Sequence, residues 1–363
     1  MRPTDSRWPR RPGAAHLWCL LLFAALLLVM TLAITWGPVD MPAGTVWRIA
    51  WSRLLQVLGM QQPPLEGITP QHQQIVWLIR MPRVLLAALV GAGLAVVGTI
   101  MQAMVRNPLA DPYLLGVSSG ASVGAVAVLA FGALASAGMY ALTAGAFAGA
   151  LAATVAVYLL ARSQGRIHAT RLILGGVAIG YVLAGVTSLI TLSSGQRDLA
   201  NALLTWTLGS LAGTQWEELG IPAAVLAAGM LWLGLQTRPL NALLAGDEAA
   251  ATLGVDTARL RRALFLAVSL LTGTMVAVSG AIGFVGLIVP HAARMLVGTD
   301  HRRVLPVAAL AGALLLVLVL VDLVARTAFA PMELPVGVIT SLIGGPFFVW
   351  MLVRQPVQGG RGP

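Results

Sequence analysis

Apolar runs close to the length of a membrane crossing alternate along this chain with short polar breaks, a pattern that predicts a bundle of membrane helices. Residues 17–36 form the first run. It is longer than the apolar core of a secretion signal and no small-residue cleavage site follows it, so it reads as a retained anchor. Residues 45–58, with Trp47 and Trp51, predict an amphipathic helix lying in the membrane interface. The second span opens at Arg80-Met-Pro82-Arg83 and continues to Val105, where the prolines and polar groups from Arg106 to Pro112 end it. Residues 113–131 and 139–160 make the third and fourth spans. A fifth follows the polar loop 162–171 and ends near Leu192, residues 198–211 predict a short surface helix, and 219–235 is the sixth span.

The apolar stretch from Ala263 to Val297 is about 35 residues long, whereas one crossing takes about 20. It must break, and Gly280, Gly283 and Gly286 supply the break. A seventh span therefore ends at Ser279, and a short eighth leaves through Pro290 and Arg294. Residues 304–325 and 336–353 complete the set. Glycines four apart, Gly116 with Gly120 and Gly176 with Gly180, allow helices to approach closely. The fold class is thus an all-α integral membrane protein with about ten transmembrane helices, in which a polar tail (1–16) precedes a membrane domain (17–354) and a second tail (355–363).

Composition agrees: 58% of residues are hydrophobic and 10% charged, against roughly 25% charged in a soluble domain. The net charge of +10 comes from arginine alone, because the chain has no lysine. With ten spans and the amino terminus inside, every arginine except Arg48, Arg53, Arg80, Arg83, Arg197 and Arg326 faces the cytoplasm. Removing the eighth crossing nearly abolishes that asymmetry, so the positive-inside rule favours ten spans with both termini cytoplasmic. This siting of charge speaks for topology and against nucleic-acid binding. A phosphate-binding Walker loop needs a lysine, so ATP-driven work here requires a separate subunit. Cys19 stands alone and cannot form an intrachain disulfide, and the histidines at 16, 72, 168, 291 and 301 show no metal-ligand spacing. Asp322 is almost the only acid within a span, and it lies near a membrane edge. Ion-coupled carriers keep ionisable groups near mid-membrane, so the pattern disfavours a secondary carrier.

Two charged features invite a functional reading. The island from Gly246 to Arg262 sets three acids before three arginines; it is either a polar spacer or a short amphipathic helix pair gripped by a soluble partner. The outward Arg80, Arg83 and Arg326 are either headgroup-seeking side chains, with Arg326 paired to Asp322, or a basic rim for an extracytoplasmic protein.

The ordered motifs Arg80-Met-Pro82-Arg83, Gly98-Thr-Ile-Met-Gln102, Asn107-Pro-Leu-Ala-Asp111-Pro112, Leu115-Gly-Val-Ser-Ser-Gly120, Gly246-Asp247-Glu248, Leu253-Gly254-Val255, Gly283-Phe-Val-Gly-Leu-Ile-Val-Pro290-His291, Asp300-His301-Arg302 and Glu333-Leu-Pro335-Val-Gly337 closely resemble the iron-siderophore, haem and vitamin B12 permeases of type II bacterial ABC importers. The match covers residues 80–354. The resemblance implies a homodimer of ten-span subunits in the bacterial cytoplasmic (inner) membrane, with inverted-repeat halves and a pathway between the two copies. It implies two cytoplasmic ABC ATPase subunits that hold ATP and Mg, and a periplasmic or surface substrate-binding protein; this subunit binds no cofactor and catalyses no reaction.

By the same resemblance, residues 240–256 form coupling helices, with Leu240, Asn241, Ala245, Gly246, Asp247, Glu248, Leu253, Gly254 and Val255 meeting the ATPase. Arg80, Arg83 and Arg326 dock the binding protein, and Asn107, Leu109, Ala169 and Thr170 form the cytoplasmic gate, where Ala169 replaces a hydroxyl of the family's pattern. Spans two and seven share only a faint pattern, Val97-Gly98-Thr-Ile100 beside Ser279-Gly280-Ala-Ile282. An iron chelate, haem or a ferric siderophore, is the leading substrate, with cobalamin the alternative and a secondary carrier the remote one.

Overall fold

A computed structural model describes residues 14–37, 39, 41–61, 63–163, 166–167, 169–320 and 334–354. Helix α1 (Ala14–Thr35) is followed by α2 (Ala43–Val57). Helix α2 buries Val46 and Ile49 and exposes Trp47 and Trp51, the two-faced arrangement expected of an interfacial helix. Next comes one continuous helical rod, α3 (Pro70–Gln74), a π-helical turn (Ile75–Arg80) and α4 (Met81–Val105). Thr69 caps the rod, its hydroxyl accepting from the His72 N–H at 3.3 Å, and Pro70 occupies the first turn, where its missing N–H does no harm. The rod therefore begins ten residues before the start expected at Arg80. The π turn sits just ahead of Pro82, which cannot donate to the turn before it.

Helix α4 is the spine of the molecule, buried along most of its length. Its close neighbours are α12 (Thr257–Ser279), α13 (Val285–Val297) and α14 (His301–Leu320). At the crossing with α13, a Cβ on Gly98 would stand 1.8 Å from the Gly286 carbonyl oxygen, so no side chain fits there. A second layer holds α5 (Val117–Phe131), α6 (Ala141–Ala161) and α7 (Ala169–Ser194). Helices α5 and α6 meet in the same way, where a Cβ on Gly124 would lie 1.9 Å from the Gly145 carbonyl. Between α6 and α7 the expected loop contains a two-residue hairpin, Arg162–Ser163 paired with Arg166–Ile167. Helix α8 (Arg197–Thr207) matches the surface helix expected over 198–211, and α9 (Gly220–Leu235), α10 (Thr237–Leu244), α11 (Asp247–Thr252) and α15 (Val336–Arg354) complete the described α-helices.

Among the described residues, seven helices are long and apolar enough to cross a membrane. Three shorter apolar helices, Val117–Phe131, Val285–Val297 and Val336–Met351, lie where the third, eighth and tenth spans were expected. The break between α12 and α13 falls at Gly280–Phe284, as the glycines foretold. Gly280 and Phe284 both take positive φ, and the Tyr113 hydroxyl accepts from the Ile282 N–H at 2.9 Å while donating to the Ile282 carbonyl at 3.0 Å. One side chain thus satisfies the backbone that the broken helix leaves open.

Candidate functional site: the coupling loop and the inner end of α4

Helix α10 is amphipathic: Leu240 and Leu243 are fully buried against the bundle while Leu244 and Ala245 are exposed. Asn241 fixes the helix to the turn between α13 and α14. Its amide nitrogen donates to Asp300 Oδ1 at 2.7 Å, and its Oδ1 accepts from the His301 backbone N–H at 2.9 Å and from His301 Nδ1 at 2.7 Å. Because that oxygen can only accept, Nδ1 carries the proton. Burial tends to raise the Asp300 carboxyl, but the hydrogen bonds from Asn241 and the Arg302 N–H, with the nearby Arg303 and Arg302 charges, hold it below its ordinary range.

Gly246, at φ 110°, lets the chain reverse into α11 in a conformation that side-chain-bearing residues avoid. Helix α11 buries only Ala250; Asp247, Glu248, Leu253 and Gly254 project outward and Val255 is half-buried. The three acids of the island have separate tasks. Asp256 caps α12, accepting from the Arg259 N–H at 2.9 Å. Asp247 pairs with Arg261, Oδ1 to Nη2 at 2.8 Å. Glu248 makes no hydrogen bond or ion pair with the described residues, which makes it the acid of the island that is open to a partner.

Arg261 is the residue that reading the sequence did not single out. While Nη2 holds Asp247, Nη1 donates to the Met104 carbonyl in the last turn of α4. Its guanidinium therefore spans from the coupling loop to the helix that leads into the expected gate. A second contact runs parallel, since a Cβ on Gly246 would stand 3.3 Å from Arg106 Nη1. Immediately after Arg106, which ends α4 in the left-handed region, Asn107 Oδ1 accepts from the Leu109 N–H at 2.9 Å and closes a compact turn. Asp111 then caps the 3-10 turn Pro112–Leu115 through Tyr113 N–H, at 2.8 Å. Burial pushes the Asp111 carboxyl up to about 6, against the lowering effect of that hydrogen bond. Thr170 is exposed on the first turn of α7, and no hydrogen bond among the described residues joins it to the Asn107–Leu109 turn.

Two of the three expected docking arginines lie beneath the surface of the single chain. Arg80 and Arg83 are both buried, at 5% and 8% exposure. Arg80 closes the carboxyl end of α1: Nη1 donates to the Ile34 carbonyl at 2.6 Å and the Thr35 carbonyl at 3.2 Å, and Nη2 to the Val39 carbonyl at 2.7 Å. A cation at that end also suits the helix dipole. Nearby, Trp216 Nε1 donates to the Trp77 carbonyl at 2.7 Å and the two indoles lie 4.4 Å apart. Arg326, with Asp322, lies outside the described residues.

Comparison with known proteins matches this arrangement to one family over residues 25–354. The chain belongs to the FecCD transport family. FecCD proteins are the membrane permeases of type II ABC importers, whose ATPase resides in separate subunits. The hemin transport system permease protein HmuU of Yersinia pestis is 46% identical over 286 residues, 78% of this chain and 84% of that protein. The cobalamin import system permease protein BtuC of Halobacterium salinarum is also 46% identical, over 297 residues, 81% of this chain and 78% of that protein. A solved structure described as an inward-facing conformation of a metal-chelate type ABC transporter superposes with a TM-score of 0.76 at 29% identity, covering 93% of this chain and 99% of that one. As a FecCD permease the chain is a multi-pass membrane protein and not a secondary carrier.

Proposed function

We propose that this permease imports an iron chelate, haem or a ferric siderophore, by alternating access between two copies of itself in the bacterial inner membrane, with ten spans per copy and both termini cytoplasmic. Two ATPase subunits bind ATP and Mg and grip α10 and α11 through the exposed Leu253, Gly254 and Glu248, with Ala245 and Gly246 at the bend. The single observation that carries the coupling reading is Arg261, bonded at once to Asp247 of the loop and to the Met104 carbonyl at the end of α4. A push on α11 is thereby delivered to the turn at Asn107 and Leu109, which with Ala169 and Thr170 makes the cytoplasmic gate.

A binding protein docks on the outer mouth around Arg80, Arg83 and Arg326; the buried Arg80 acts there indirectly, by holding the end of α1 in place. Cobalamin is the second reading of the substrate, favoured by the cobalamin permease of equal identity. The test of both is reconstitution of the chain in vesicles with its ATPase and binding protein. ATP should drive uptake of haem or a ferric siderophore, and uptake of cobalamin alone would replace that substrate. In the same vesicles Glu248→Lys should abolish most ATP-driven uptake while the chain still inserts; full uptake with normal ATPase association would remove Glu248 from the coupling surface.

A further inference from the structure

A cavity of about 230 Å³ opens beside the inner end of α4, and its walls carry Gln102, Arg106, Asn107, Arg294, Thr299 and His301. Two guanidiniums line it and no carboxylate does. Asp300, between the lining residues Thr299 and His301, accepts from Asn241 and from the Arg302 N–H, and Asp247 of the adjoining loop is paired with Arg261. Arg294 is half-buried, and its one hydrogen bond among the described residues is to Gln102 Oε1, a small share of the five N–H groups a guanidinium offers. Asn107 spends its Oδ1 on the Leu109 N–H, which leaves its amide nitrogen as a donor, and Thr299 adds a hydroxyl. His301 turns its Nδ1–H to Asn241. The donors facing it are Arg106, Arg294, the Asn107 amide and the Thr299 hydroxyl, around two like charges of which one is partly removed from water; Gln102 spends its amide N–H groups on the Gly286 and Leu287 carbonyls, and His301 leaves only an accepting Nε2. That combination is unfavourable when empty and matches the oxygens of a tetrahedral anion.

We propose that this cavity binds a phosphate-class oxyanion, supplied by free phosphate or by an anionic lipid headgroup at the inner membrane surface. Bound there, the anion would bridge Arg106, which lies against Gly246 of the coupling loop, to Arg294 of α13, and so tie the loop to the bundle. The site is independent of the transported substrate and is read on the chain alone.

The test uses the full chain in detergent, with unfolding midpoints compared in sodium phosphate and in sodium chloride at equal ionic strength. In parallel, phosphatidylglycerol or phosphatidylcholine nanodiscs are delipidated and retained lipid is counted by native mass spectrometry. Phosphate should raise the midpoint, or phosphatidylglycerol should be retained over phosphatidylcholine; the first response identifies a free anion and the second a headgroup. In either arm Arg106→Gln should lose at least half of the effect, and Arg262→Gln, an exposed arginine away from the cavity, should keep it. Equal responses in wild type and Arg106→Gln overturn the site, because salt effects on bulk solvation would then explain them. No response in either arm also overturns it, including the case in which an acidic side chain of the ATPase subunit fills the cavity.

Discussion

Helices α4 and α7 are both long, both strongly apolar and both studded with glycine, yet 78% of the apolar window of the rod containing α4 is buried against 11% for α7. Hydropathy does not separate them. The glycines separate them in part: Gly91, Gly93 and Gly98 of α4 all leave no room for a Cβ, whereas on α7 only Gly176, against the Leu114 carbonyl, is so confined and a Cβ on Gly185 would meet nothing within 4 Å. Helix α4 is also fastened at both ends, by the Arg80 contacts with the end of α1 and by Arg261 at the Met104 carbonyl. One helix is the buried spine of the bundle. The other presents its bulk outward, to lipid, to the pathway or to a second copy.

Substitution of Gly98 and Gly185 should break the comparison most severely. Gly98→Leu must displace α13 backbone, a change expected to exceed the roughly 1–3 kcal/mol of ordinary overpacking and to leave little monodisperse protein on size exclusion. Gly185→Leu should leave the unfolding midpoint near wild type, because its side chain enters open space. A destabilised Gly185→Leu chain would erase the distinction between the helices. Next in size is Arg80→Ala, which strands the carbonyls at the end of α1; a loss of roughly 1–3 kcal/mol is expected for buried groups deprived of a charged donor. Denaturant or thermal unfolding of the full chain measures it, and no change would mean that α1 is held by its apolar packing alone.

The smallest effect concerns Asp111, which is only half-buried. Its carboxyl is raised to about 6 from 3.8, so the folded state prefers it protonated. The stability this contributes is complete below pH 4 and disappears as pH rises through 6. Asp111→Asn keeps a capping side chain and should flatten the unfolding midpoint across that interval, whereas an unchanged slope would place the titration elsewhere.

Much of this plan was legible in the residues because it is local. The break at Gly280–Gly286, the amphipathic helix after the first span and the short helix after the fifth follow from periodicity and glycine alone. The cap and proline at Thr69 and Pro70 marked a helix start, but the polar Gln71-His-Gln-Gln74 that follows hides it in a composition suited to a loop. What was not legible depends on contacts between distant residues. Arg80 meets Ile34 across 46 positions and Tyr113 meets Ile282 across 169, and no spacing rule reaches so far. The coupling island shows both sides: its charges stand out in the sequence, but the division of labour among Asp247, Glu248 and Asp256 required the positions of Arg261, Met104 and Arg259.

The central claim is that α4 receives the motion of the coupling loop through Arg261. Uptake per ATP hydrolysed, measured in vesicles containing the assembled importer with wild-type chain or Arg261→Gln, tests it most directly. Arg261→Gln should retain ATPase association and hydrolysis while uptake per ATP falls several-fold. An unchanged ratio of uptake to hydrolysis would contradict the account.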